Sequence, residues 1–171
     1  MEDLEKENSK AHLLRIRKNN LYVYNMVFIE ELNTILTCQT SGTFVQYDLN
    51  DSCITGKIIK NYGNAGISSL SYAISIGHLG ILGGYSGVFR FVNLKTRKFL
   101  DEKIISCLAS IRFMRICPVV NDDPKKMKVL LALNCHYSTS FNKGKSDFFD
   151  ITEVVRMVGI SDDIIRNYRE H

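Results

Sequence analysis

An internal repeat of 45 residues narrows the possible folds of this chain more than any other feature. Segments 35–49 and 80–94 share the frame Ser-Gly-x-Phe-x-x-x-[Asp/Asn]-Leu. Ser41, Gly42, Phe44, Asp48 and Leu49 fall on Ser86, Gly87, Phe89, Asn93 and Leu94, each pair 45 positions apart. The two copies carry the same physical signals. An apolar run, 35–40 or 81–85, ends in Ser-Gly, and glycine supplies the positive φ that a tight hairpin turn needs. The next run, 43–47 or 88–92, is rich in β-branched and aromatic residues, as strands are. An Asp or Asn then closes the strand and can form a side-chain turn. Each copy therefore holds two strands joined by a tight turn.

The units extend on both sides. Segments 21–28 and 67–74 read as the strands that precede the two hairpins, and 56–60 and 98–100 as outer strands that follow them. Four strands at a period of about 40–45 residues make one blade of a β-propeller. A third unit is fainter, with strands expected at 107–116 and 129–135. Gly144 and Asp150 keep the spacing of Gly42 and Asp48, and Phe149 and Ile151 flank that acid as Tyr47 and Leu49 flank theirs. This unit is longer, with a polar, turn-forming insertion at 121–126 and a second candidate loop at 136–143.

On these residues the chain resembles the WD-repeat family. The family's hairpin, Asp-Gly-x-Ile-x-x-Trp-Asp, is approximated by Ser41-Gly42-Thr43-Phe44-Val45-Gln46-Tyr47-Asp48 and by Ser86-Gly87-Val88-Phe89-Arg90-Phe91-Val92-Asn93. The chain departs from the family in having no Trp; Tyr47, Val92 and Phe149 stand in its place. Gly63-Asn64 is the nearest match to the Gly-His that opens a blade, while Gly77-His78 falls in the turn between the first two strands of the second unit. The resemblance implies a hydrogen-bonded brace within each blade. Here its residues are missing, so apolar packing is expected to hold the blades.

The expected fold is all-β, a partial β-propeller of about three four-stranded blades with a short helical C-terminus. A polar segment, 1–19, precedes repeats at 20–62, 63–104 and 105–152, and a helical tail covers 153–171. A β-sandwich or barrel would share the short strands and frequent turns but not the 45-residue period. Propellers have typically 4–8 blades, and three cannot close a ring. The ends of the arc must therefore be covered by the chain's own termini, by a second chain or copy, or by the rest of a longer protein. Segment 11–17 reads as an outer strand or a short helix, and 1–10 as a frayed terminus. In the tail, Ile151, Val154, Val155 and Val158 share one helical face, and Gly159 fits a helix stop. Ser161 fits the N-cap of a second helix with two acids in its first turn. Both helices are expected to pack on the last blade, the alternative being that they reach a partner.

Composition bounds the function. Hydrophobic residues make up 45% of the chain, enough for a packed core. The formal charge of +4 is scattered, with its densest stretches at 95–98 and 125–128. The five cysteines, Cys38, Cys53, Cys107, Cys117 and Cys135, form no C-x-x-C pair. They suggest buried thiols in a reducing compartment. With no signal-peptide pattern and no apolar run of ~18 residues, the expected location is cytoplasmic or nuclear.

No phosphate loop, H-E-x-x-H or G-x-S-x-G occurs. His12, His78, His136 and His171 share no ligand spacing. The reading is accordingly of a chain that is not an enzyme, with no catalytic, cofactor-binding or metal-binding residue and no cofactor. Tyr22, Tyr24 and Tyr137 are candidate interface anchors. The expected function is a protein–protein interaction scaffold within a larger assembly, with protein partners or self-association completing the ring and no membrane insertion. The alternatives are a nucleic-acid- or chromatin-associated module using loops such as 124–128, and a truncated relic without independent function.

Overall fold

Alternating side chains and turn glycines fold the chain into three antiparallel sheets. The computed structural model describes residues 23–39, 42–49, 57–63, 71–100, 105–106, 110–136 and 144–169. The first sheet contains β1 (Val23–Ile29), β2 (Thr34–Gln39), β3 (Phe44–Asp48) and β4 (Lys57–Gly63), in that spatial order. The second contains β5 (Ser71–Ile76), β6 (Leu79–Gly84), β7 (Val88–Asn93) and β8 (Lys98–Phe99). A further short strand, β9 (Ile105–Ser106), also pairs with β7, so two short pieces share that outer edge. The third sheet contains β10 (Ser110–Val119), β11 (Lys128–His136) and β12 (Gly144–Asp150). Gly42 and Gly87 adopt φ of +77° and +73°, as the hairpin turns demand.

The sheets stack as consecutive blades of a partial β-propeller. Inner strand β5 packs against β1 and β2 on one side and against β10 on the other. The middle blade is therefore covered on both faces, and every residue of β6 is buried. Leu36, Cys38 and Phe44 meet Ala73, Leu82 and Val92 between the first two blades. Ile81, Phe89 and Phe91 meet Met114, Ile116, Leu131 and Leu133 between the second and third. Two glycines permit close packing around β6, Gly80 within its own blade and Gly83 against the third. A Cβ on Gly80 would lie 2.8 Å from Val92 Cγ1, and one on Gly83 2.7 Å from Met114 Sδ.

The third blade departs from the expected four strands. It has three among the described residues, and the cause is local. Asn93 Oδ1 accepts hydrogen bonds from Lys95 and Thr96 N–H, forming a turn that reverses the chain into β8. The equivalent Asp150 accepts from the N–H and hydroxyl of Thr152 instead, and the chain enters α1 (Thr152–Met157). Gly159, at φ +80°, follows α1, and Ser161 Oγ caps α2 (Asp162–Arg166) by accepting from Ile164 N–H. Val155, Ile160 and Ile165 join the core between the second and third blades. Arg156 and Arg166 donate to the carbonyls of Pro124 and Asn121, fastening the tail to the 121–126 insertion. The readings for 11–17 and for the loop after His136 lie outside the described residues.

Candidate interaction groove

Three inner strands run side by side along the arc, and their exposed side chains line a concave groove. β1 contributes Met26 and Phe28, β5 contributes Tyr72 and Ile74, and β10 contributes Phe113 and Arg115. Tyr168 and Arg169 reach it from beyond α2. The cavity is about 560 Å³. It adjoins a second of about 390 Å³ that shares Phe28, Ser75, Tyr168 and Arg169 and extends to Glu30 and Glu31. Met26 is 59% exposed, Phe113 52% and Phe28 45%. Strand alternation explains the apolar floor: the opposite faces of β1 and β10 already fill the inter-blade cores with Ile29, Met114 and Ile116, so these residues turn to the axis. Arg115 and Arg169 line the groove, and Arg169 also lines the second cavity beside Glu30 and Glu31.

Polar contacts connect the blades around the groove. Asn25 Oδ1 accepts from Ala73 N–H, tying β1 to β5. His78 is 5% exposed, in the turn between β5 and β6. Its Nδ1 lies 3.0 Å from Glu31 Oε1 and its Nε2 2.9 Å from the Val158 carbonyl. One imidazole thus links the first blade, the second blade and the tail. Beneath the first blade, Gln46 donates to Thr34 Oγ1 and the Leu94 carbonyl, and Tyr62 Oη donates to Gln46 Oε1 at 2.8 Å. These contacts correct the expectation that apolar packing alone holds the blades. A signal for Gln46 was present, since alternation places it on the same inward face as Phe44. For His78 no signal marked which side chains would meet in that turn.

Of the tyrosines flagged as anchors, Tyr24 is exposed and packs edge-on against Tyr72, with ring centroids 6.2 Å apart. Tyr22 and Tyr137 lie outside the described residues. The two basic stretches are apart from the main groove. Lys95, Arg97 and Lys98 follow β7, and Lys125, Lys126 and Lys128 lie near β11, where Lys126 meets Asp123 and Lys128 meets Asp150. Among the described residues no cluster of three or more His, Cys, Asp or Glu could hold a metal. Cys38 and Cys117 are free thiols, and burial pushes the Cys38 thiol up. No described helix is long and apolar enough to cross a membrane.

No family model and no curated protein matches the chain. Solved structures do match. The computationally designed Ika4 protein is 13% identical, with a TM-score of 0.50 over 82% of this chain and 72% of that one. The C-terminal WD40 domain of Sif2 is 15% identical, with a TM-score of 0.51 over 81% of this chain. The match covers 34% of that Sif2 chain, about a third of its length. The likeness supports a WD40-like β-propeller fold.

Proposed function

We propose that this chain is a non-catalytic protein-interaction scaffold working within a larger assembly, and that the axial groove receives a segment of a partner protein. The observation that carries this reading is the convergence of exposed Met26, Phe28 and Phe113 from two inner strands into one concavity. Grouped apolar side chains left in water mark interaction sites, whereas scattered ones do not. The occupant is a peptide with apolar side chains for this floor and a carboxylate for Arg169. The WD40-like neighbour supports a scaffold role in general terms.

A photo-reactive residue placed at position 113 would trap the partner in native cells, and the pair would then be rebuilt from purified proteins. The double variant Met26→Glu, Phe113→Glu should weaken that binding more than about tenfold with the melting temperature unchanged. Binding at full strength by a folded double variant would refute the groove as the site.

A further inference from the structure

The turn between β7 and β8 holds a backbone conformation that its sequence does not favour. Arg97 sits at φ +61°, in the left-handed region. Glycine enters that region freely, whereas a residue with a side chain is strained there. Asn93 shapes the turn: its Oδ1 accepts from Lys95 and Thr96 N–H, and its carbonyl accepts from Arg97 N–H. None of these bonds uses the Arg97 side chain, so the turn itself gives no reason for an arginine.

A reason lies beside it. Lys95 and Arg97 border a cavity of about 150 Å³, and the first blade supplies its other wall through Thr34 and Gln46. Both are buried, at 4% and 1% exposed. Gln46 Nε2 directs its two hydrogens to Thr34 Oγ1 and the Leu94 carbonyl. Thr34 Oγ1 is the acceptor in that bond, and its own hydrogen meets no acceptor among the described residues. Neither Lys95 nor Arg97 is ion-paired among the described residues. The charge of Arg97 is felt at the Tyr62 phenol, which donates to Gln46, so the guanidinium lies on the side of this wall. Asp48 also borders the cavity, and the two cations outnumber it.

We propose that this cavity between the first two blades is a phosphate site, in which Lys95 and Arg97 hold the phosphate oxygens and Thr34 donates its hydroxyl hydrogen to them. Two cations set against one acid suit a group that itself carries about two negative charges. The arginine fork matches two oxygens of such a group at once. The volume admits a phosphate group, and falls below the roughly 300 Å³ at which pockets for larger ligands begin. Arginine at a strained position then has a function that glycine could not supply. The cavity shares no described lining residue with the axial groove and does not depend on it.

The probes are inorganic phosphate and O-phosphoserine, each added to the full chain at fixed ionic strength and followed by NMR. The side-chain amide of Gln46 and the backbone amides of residues 95–97 should shift together along one saturable curve. Binding of O-phosphoserine assigns the cavity to a phosphorylated side chain. Its exclusion, with inorganic phosphate bound, assigns the cavity to the free ion. Arg97→Gly gives two readings that a purely structural arginine would not give together. It should raise the denaturant midpoint, because the strain is gone, and weaken phosphate binding about tenfold or more. Lys95→Gln should weaken binding several-fold with the midpoint unchanged. The proposal is overturned if neither probe gives a saturable shift, if acetate binds as tightly as phosphate, or if Arg97→Gly binds phosphate like the parent. It is overturned equally if Arg97→Gly leaves the midpoint at or below the parent's, since the arginine would then serve the fold.

Discussion

His78 Nδ1 stands 3.0 Å from Glu31 Oε1, and this contact spans two blades that are otherwise joined mainly by apolar packing. The other ring nitrogen meets the Val158 carbonyl at the end of α1. Each ring nitrogen therefore has a polar contact with a different element. His78→Ala would leave the Val158 carbonyl and Glu31 without this partner. The expected loss is about 2–3 kcal/mol of stability, read as a lower denaturant midpoint, together with faster proteolysis within the tail. An unchanged midpoint would show that the contact is incidental.

Gly80 and Gly83 test the packing around β6 in different ways, the first within the middle blade and the second against the third. An added methyl at Gly80 meets Val92, whose β-branched side chain has little rotamer freedom, and Leu94 behind it. Gly80→Ala should cost about 1–3 kcal/mol. The methyl at Gly83 meets the thioether of Met114, a flexible side chain that can move aside. Gly83→Ala should therefore be the milder change in urea unfolding. The reverse order would mean that the contact between the second and third blades is less adaptable than the packing of β6 on β7 within the second.

These positions also show what the sequence could convey. The repeat located both hairpins because glycine at positive φ and strand alternation are local signals. Gly159 and Ser161 were legible for the same reason, since helix stops and caps involve only near neighbours. The groove was harder to read. Met26, Phe28 and Phe113 look like ordinary strand residues until blade packing decides which face remains in water. Gln46, Thr34 and Tyr62 meet across 12 and 16 residues of chain, and His78 and Val158 across 80. Contacts of that range depend on how blades stack, which no repeat frame records. That the third blade has three strands among the described residues turned on one replacement, the entry into α1 at Thr152 where the second blade makes a reversing turn.

Thr152 gives that entry a measurable signature. Its hydroxyl and its N–H both donate to Asp150, and with Lys128 they hold the Asp150 carboxyl below the usual carboxylate range. A depressed folded-state value favours folding at neutral pH. That contribution is fully present above the unfolded value and is lost as pH falls through the folded one. Thr152→Val should raise the Asp150 pKa toward normal, as followed by NMR titration. It also removes the acceptor for Val129 N–H, which should cost about 1–3 kcal/mol. An Asp150 titration identical in the two proteins would rule out the threonine as the cause.

Tyr62 supplies the alkaline counterpart. Burial pushes its phenol up to about 12, while the charge of Arg97 acts in the opposite direction. The neutral phenol is the form that donates to Gln46 Oε1. Because the folded value lies above the ordinary value of 10.0, the folded state retains a proton that the unfolded state has released. Stability from this group is complete below the unfolded pKa and declines as pH rises through the interval up to the folded one. Phenolate absorbance should therefore show a late-titrating component that shrinks in Tyr62→Phe and leaves that of Tyr47, whose phenol burial also pushes up. That variant should lose about 1–2 kcal/mol at neutral pH by leaving Gln46 Oε1 unpaired. It should then lose less than the parent as pH rises through the same interval. If both proteins lose stability in parallel there, the buried Tyr62–Gln46 pair does not control the alkaline limit, and the blade's polar network matters less to its stability than its geometry implies.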